Sequence, residues 1–441
     1  MLLTRKDIYQ NPRVTKGQAY RQSQLRAKFP SLVNALDKEQ HKRKRKFMTQ
    51  PISERSMRLF EPTMTTEVDT YLQLLLKDTN NHSVVDMTER CQRLSVDVVG
   101  KLAFGYPFRT QLEDTYRYIS QIMEDMSWRM SIYMQFPPAH VLELLMLWMN
   151  KSEFIKFDKA IRGMIKTRMA EPKDAHFDLY SVLADHIGTG PDGLLPGEVW
   201  PEAIFFIMAG GSTTSTTLST AFFYLSRYPE CYKTLAREIR STFKSGSEIV
   251  SGNQLRSCHY LRAVIDECLR MSPATLTSLW REQDPKDKSQ EPFVVDGHVI
   301  PRGTQVGVSL YSLMHNEEYF SDPFVFEPQR WVEPEDPEEK AAYAARRKCF
   351  VPFIVGDRAC AGKAMAYLET SLVLARTLWY FDFEAAPGEL GEVGGGKAGQ
   401  PGARGRPNEY QLDDLFVAGH AGPNLIFQKR GDFWKELDKS N

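Results

Sequence analysis

From residue 18 to about residue 180 the chain reads mainly as helix. Between Ser53 and Leu76, the residues Met57, Phe60, Met64, Val68, Leu72 and Leu75 fall on or near one stripe at helical spacing. Such a stripe marks an amphipathic helix with one buried face. Arg90–Phe104 repeats the pattern, with Leu94, Val98 and Leu102 at i, i+4 and i+8. Pro137-Pro138 breaks the next helical stretch, and the apolar Val141–Met149 follows. A long helical segment runs from 198 to about Arg227 and stops before Pro229, because the residue preceding a proline is pushed out of the α region. Leu255–Met271 forms another helix, closed by Pro273.

The texture then changes. Phe293–Val295 and His298–Ile300 flank Asp296-Gly297, a hairpin with an Asp-Gly turn. Val306–Leu310 reads as a further short strand. Helix resumes from Gly362 to about Leu378. Gly388–Gly405 holds eight glycines and is expected to be a mobile surface loop. Gln411–Asn424 is expected to pair with Asn424–Gln428 as a terminal hairpin. No repeat and no linker divides the chain. The expectation is a single mainly α domain with small β sheets over residues 1–441.

Composition narrows the function classes. The hydrophobic fraction is 42% and the charged fraction 25%, which excludes wholesale disorder. Lys plus Arg and Asp plus Glu are both 56, so no basic excess exists to coat a nucleic acid. The six cysteines form no CxxC pair, which argues against a zinc ribbon or a disulfide scaffold and for reduced thiols. The first residues have no apolar core and no small-residue cleavage site of a signal peptide. No apolar run reaches the ~18 residues of a membrane span. Seventeen Met and 25 Phe suit a pliable interior that takes a large apolar ligand, or simply a big core.

The sharpest chemical signal is Phe353-Ile-Val-Gly-Asp-Arg-Ala-Cys-Ala-Gly362, spaced F-x-x-G-x-R-x-C-x-G. If Cys360 ligates iron, each fixed residue has a task. A haem-bound thiolate donates electron density and favours O–O cleavage. It needs backbone N–H donors around it, and Gly356 and Gly362 permit the turns that aim them. Phe353 shields the sulfur, and Arg358 pairs with a haem carboxylate through a charge-assisted fork. The helix starting at Gly362 lowers the thiol pKa with its positive end. A lone buried cysteine would be inert. Five matching positions in ten residues argue otherwise.

A second rule is broken at Ala209-Gly-Gly-Ser-Thr-Thr214, midway along the long helix. Glycine inside a helix costs ~1 kcal/mol relative to alanine, and such weak stretches often mark function. Two readings stand: a local cleft over a metal centre, with a hydroxyl passing protons, or a close helix crossing that needs small residues.

The cysteine segment resembles the haem-binding loop of the cytochrome P450 family, and the resemblance extends from roughly residue 8 to 430. Glu267-Cys-Leu-Arg270 is similar to its E-x-x-R pair, and Phe326-Glu-Pro-Gln-Arg-Trp331 to the motif whose arginine, here Arg330, joins that pair to brace the loop. Gln329 stands where Glu is frequent. Thr213 matches the family's alcohol position. Ser212 occupies the place where Asp or Glu is usual, which leaves the proton route open. His41-Lys-Arg-Lys-Arg-Lys46 read alone is a nuclear signal or a solvated face. By position it resembles the W-x-x-x-R helix, so that His41 and Arg45 face the haem propionates. Arg281 matches a third propionate contact. The other basic residues of this run, with Arg346, Arg347 and Lys348, then form a face for an acidic electron donor.

The resemblance implies the cytochrome P450 fold, haem b with Cys360 as the metal ligand, and electrons from NADPH through a cytochrome P450 reductase, with cytochrome b5 as a further donor. It implies a monomeric monooxygenase that inserts one oxygen atom from O2 into a small apolar substrate. Ser53-Glu-Arg-Ser-Met57, Glu61-Pro62, Tyr224-Leu225 and Glu238-Ile-Arg240 look most like filamentous-fungal members of secondary metabolism. Ser212 keeps open a haem-thiolate enzyme of another type, such as a dehydratase, isomerase or peroxide user. Relative to eukaryotic members, an N-terminal anchor and a first β sheet are expected to be missing, which keeps open an inactive haem-binding protein. Full-length members sit on the cytosolic face of the endoplasmic reticulum membrane. This chain has no transmembrane segment and is expected to be cytosolic or peripheral.

Overall fold

Helices begin where the sequence supplies a cap. In this computed structural model, which describes residues 2–438 apart from 23, 25–27, 143–144, 146–150 and 191–192, Asp37 opens α1 (Lys38–Met48) by accepting from Gln40 N at 2.8 Å. Ser53 opens α2 (Glu54–Asn80) and Asp86 opens α3 (Met87–Phe104) in the same way. A short polar side chain there satisfies N–H groups that the first turn leaves without partners. α3 ends on Gly105 in the left-handed region. Then follow α4 (Tyr118–Gln135), α5 (Lys151–Ala170), α6 (Val199–Arg227), α7 (Pro229–Thr242), α8 (His259–Met271), α9 (Pro337–Cys349) and α10 (Lys363–Tyr380). The chain is mainly α with small antiparallel sheets, as expected.

One contiguous core joins α2, α3, α6 and α10, with Phe60, Leu72, Leu94, Val98, Leu218, Phe222, Leu374 and Leu378 all buried in it. The weak stretch in α6 sits where that helix crosses its neighbours. A Cβ on Gly210 would lie 2.6 Å from Val99 Cγ2, and one on Gly211 would lie 2.8 Å from Met123 Cε. The glycines therefore serve a close crossing, and α6 runs unbroken through them.

β1 (Val14–Lys16) pairs antiparallel with β3 (Arg281–Gln283), setting Lys16 opposite Arg281. A strand therefore does stand near the start of the chain. β2 (Val85–Asp86), β9 (Asn424–Lys429) and β6 (Phe381–Ala385) form a three-stranded sheet with β9 central. β4 (Val294–Val295) and β5 (His298–Val299) make the expected hairpin, with Asp296 and Gly297 both at positive φ.

Three expectations are corrected. Leu255–Met271 is two helices, Asn253–Arg256 and α8, because Cys258 leaves helical geometry and the Glu238 carboxylate accepts from Tyr260 N and Leu261 N, each at 2.8 Å. Val306–Leu310 contributes a single bridge, Val306 to Arg281, since Ser309 caps a short helix over Leu310–Met314. Residues 388–405 lie at the surface, as expected of a glycine-rich loop, and hold a helical turn at Glu389–Glu392 and backbone bonds from Gly396 N to Arg406 O and from Lys397 N to Arg404 O. The terminal hairpin does not form: β7 (Leu412–Asp413) pairs with β8 (Gly419–His420), while β9 joins the larger sheet. Of the apolar stretch Val141–Met149, residues 143–144 and 146–149 lie outside the described residues. All six cysteines are free. Among the described residues no helix is long and apolar enough to cross a membrane.

Candidate active site

The cysteine loop joins α9 to α10. Cys360 N donates to Phe353 O at 2.8 Å and Ala359 N to Gly356 O at 3.0 Å, which coils the loop on itself. Gly356 has φ +81 and packs against the Tyr9 carbonyl oxygen, where a Cβ would collide. Glycine is thus required there both by conformation and by space. Ile354 holds φ +54, an outlier for a β-branched residue that stores about 1–3 kcal/mol. Gly362, by contrast, lies in the turn that precedes α10 and has φ −83, a conformation open to any residue. What it offers is its N–H, which with that of Lys363 points at the Cys360 sulfur. Burial pushes the Cys360 thiol up from its ordinary value. The two N–H groups and the charges of Arg45 and Lys363 pull it down without reversing the shift. The helix end works in the predicted direction, but desolvation outweighs it. Cys360 keeps exposed surface, although the protein around its thiol is dense enough to desolvate it.

Beside this loop lies a cluster of like charge. Arg45, on α1, donates to Ala359 O at 2.7 Å. Arg358 reaches Ala35 O at 3.1 Å and Leu36 O at 3.4 Å. Arg281 reaches Leu279 O and Trp280 O at 3.1 and 3.0 Å. Lys16, missed in the sequence, is buried and reaches Leu32 O and Val33 O at 2.9 and 2.7 Å. Burial, then the charges of Arg358 and Arg281, hold the Lys16 amine well below its ordinary pKa. Burial and Arg281 lower Arg358 to about 10. Burial and the surrounding Lys16, Arg358, Arg45 and Arg281 bring His41 to about 2, so it is neutral. The structure thus gathers His41, Arg45, Arg281 and Arg358 as expected, and adds Lys16. Like charges opposite each other in a strand pair destabilise it. These cations meet mainly carbonyl oxygens, so the donor set is suited to carboxylates.

Under the loop, Glu267 and Arg270 on α8 form a fully buried fork, with two N–H···O bonds of 2.8 Å. Arg330 Nε adds a bond to Glu267 at 3.0 Å and Trp331 Nε1 one at 2.8 Å. Burial pushes the Glu267 carboxyl up, but Arg270 and Arg330 outweigh it and hold the pKa below the ordinary value. A second buried carboxylate, Asp266, was not foreseen. It accepts from Arg347 at 2.8 Å and from Tyr367 OH at 2.6 Å, and the Tyr367 ring lies 5.3 Å from that of Phe353. Asp266 thus links α8 to the cysteine loop through Tyr367.

On the other side, α6 borders a cavity of about 130 Å3 lined by Ala209 and Thr213 but not by Ser212. Thr213 Oγ1 donates to Ala209 O at 2.7 Å, leaving its lone pairs for the cavity. The walls include Met126, Met130, Ile204, Phe205, Met208 and Phe416. The predicted docking face is smaller than expected. Lys44 is fully buried between Glu198 and Glu202 at 3.0 and 2.9 Å, and Arg43 pairs with Glu198 at 2.6 Å. Arg347 is held by Asp266. Lys42, Lys46, Arg347 and Lys348 remain exposed.

A cysteine loop beside a cationic cluster, together with an apolar cavity along a long helix, is the arrangement of a haem-thiolate oxidoreductase. The family model for cytochrome P450 matches residues 5–392. A cytochrome P450 monooxygenase of Gibberella zeae is 32% identical over 439 residues, covering 96% of this chain and 97% of that protein. The monooxygenase poxM of Penicillium oxalicum is 32% identical over 96% of this chain and 79% of its own length. The monooxygenase lcsN of Purpureocillium lilacinum is 33% identical over 78% of this chain and 99% of its own. The chain belongs to the cytochrome P450 family, and it is a monooxygenase of fungal type.

Proposed function

We propose that the Cys360 sulfur would hold the iron of haem b, that Lys16, His41, Arg45, Arg281 and Arg358 would hold the propionates, and that the cavity at Thr213 takes an apolar substrate of secondary metabolism. Bound haem supplies the redox chemistry by which one atom of O2 enters the substrate. The observation that supports this best is the cationic cluster itself: buried Lys16 and half-buried Arg45 and Arg358, each with carbonyl partners, beside a sulfur whose pKa two backbone N–H groups lower. Two carboxylates would relieve that repulsion through charge-assisted bonds.

The chain's own residues then divide the work. Glu267, Arg270 and Arg330 fix the loop. Phe353 keeps water from the sulfur. Thr213 relays protons at the cavity, with Ser212 behind it in place of a carboxylate. Electrons come from NADPH through a cytochrome P450 reductase docked near Lys42 and Lys46, which puts the working site on the cytosolic face of the endoplasmic reticulum. Cys360→Ser and Cys360→His test the ligand. Each is expected to abolish the red-shifted Soret band of the reduced carbon monoxide complex, while single replacement of the other cysteines keeps it. Retention of that band in Cys360→Ala would overturn the assignment. Turnover without NADPH and reductase would overturn the electron route.

A further inference from the structure

The backbone of the turn Ser31-Leu32-Val33-Asn34 takes its outside hydrogen bonds from charged side chains. Asn34 N and Ala35 N both donate to Ser31 O, at 3.1 and 3.0 Å, which closes the turn. That closure leaves the Leu32 N–H and the Leu32 and Val33 carbonyls without partners inside it, and buried groups of this kind must find one. The N–H donates to Glu202 Oε2 at 3.0 Å. The two carbonyls accept from Lys16 Nζ at 2.9 and 2.7 Å. An anion on α6 thus grips one side of the turn and a cation on β1 the other.

Glu202 is buried, and its other oxygen meets Lys44 Nζ at 2.9 Å. Lys44 is held in turn by Glu198 at 3.0 Å. The two oxygens of one carboxylate therefore serve two elements: Oε1 ties α6 to α1, and Oε2 ties it to the turn. A buried ion pair often adds no stability over apolar residues of the same size, so what this one contributes is direction. The carboxylate cannot swing away from Leu32 without leaving Lys44. The side chains of the turn divide in the same way. Leu32 packs into the core, while Ser31, Val33 and Asn34 line the cavity beside Thr213. A shift at the Leu32 N–H therefore moves a cavity wall.

We infer that Glu202 is a positioning residue that sets the width of this cavity and so the size of the molecule admitted beside Thr213. It acts through Leu32 and touches no substrate. Lys44 is its orienting partner, which gives the basic run of α1 a task inside the protein. The inference rests on the reading of the cavity as the substrate site, but the hold of Glu202 on the turn does not.

Glu202→Gln is the decisive variant. An amide has one acceptor oxygen where a carboxylate has two, so the variant can accept from Lys44 or from Leu32 but not from both. Lys44 keeps Glu198, so no buried charge is stranded and the chain should fold. Hydrogen exchange of the Leu32 amide in the full chain is expected to quicken at least about tenfold, with the amides of α3 unchanged. Imidazole and phenylimidazole, titrated into the haem-loaded chain and followed by the Soret shift, report the width of the cavity. The parent should prefer the smaller probe, and that preference should fall at least about fivefold in Glu202→Gln. Val33→Ala widens the same wall directly and should lower the preference too. Combined with Glu202→Gln it should add less than its separate effect, because both act on one wall. An unchanged Leu32 exchange rate, a preference that holds while exchange quickens, or full additivity of the two variants would overturn the inference. A parent chain with no Soret shift in imidazole would fault the haem reading instead, and the exchange rates would still decide whether Glu202 holds the turn.

Discussion

Arg270→Ala tests how the cysteine loop is supported. The substitution removes both 2.8 Å bonds to Glu267 and the donors to Met314 O, Pro323 O and Val325 O at 2.9, 2.7 and 3.3 Å. Breaking a buried ion pair from one side costs about 3–5 kcal/mol. A buried carbonyl stripped of its donor costs about 1–3 kcal/mol. The terms do not add in full, because Glu267 keeps Arg330, Trp331 and the Glu327 N–H. We therefore expect a net loss of about 4–6 kcal/mol, comparable with the whole stability of many domains. Arg330→Ala leaves the Arg270 fork in place and should cost only about 1.5–3 kcal/mol, the worth of a charged hydrogen bond. Urea unfolding followed by circular dichroism, with haem-to-protein ratio recorded for each variant, gives the ranking. The contribution of Glu267 also has a pH signature. Its folded pKa is depressed, so its stabilisation is complete above the ordinary Glu value of about 4.3 and is lost as pH falls through the lower folded value. A loss below about 1 kcal/mol in Arg270→Ala, the range of exposed pairs, would refute the buried-brace argument. So would a larger loss in Arg330→Ala.

Three further outcomes are expected. Lys16→Met should raise the thermal midpoint of the haem-free chain, because it removes a buried charge that Arg358 and Arg281 repel, yet speed haem transfer to an apo-globin acceptor. Its destabilising effect in the parent fades as pH rises through the depressed folded pKa of Lys16, so the gain should shrink at alkaline pH. Thr213→Ala should raise peroxide released per NADPH consumed, because a hydroxyl at the cavity wall is lost; unchanged coupling would move the proton path elsewhere. Gly356→Ala should abolish haem loading, since φ +81 and the Tyr9 carbonyl both exclude a Cβ; a fully loaded variant would show that the loop can shift.

Legibility in the sequence divides along a physical line. α2 and α3 were legible because their apolar stripe and their packing partners coincide. The Cys360 loop was legible because its demands are local: a turn, a sulfur and a helix start within ten residues. The break before α8 was not, since the carboxylate that caps it, Glu238, comes from α7. Lys16 was missed for the same reason. Nothing in Val14-Thr-Lys16 signals chemistry until β3 sets Arg281 opposite it. Interactions that depend on a partner far along the chain leave no local mark.

The three-stranded sheet has a consequence for synthesis on the ribosome. Its central strand, β9, comes from residues 424–429, while its edges come from residues 85–86 and 381–385. A chain made from its N-terminus must hold those edges unpaired until almost all of it has emerged. Unpaired strand edges invite contact with other chains. A ribosome stalled between residues 385 and 424 should thus display a helical body with an open seam, a natural target for chaperone capture. Release past residue 429 closes that seam in one step.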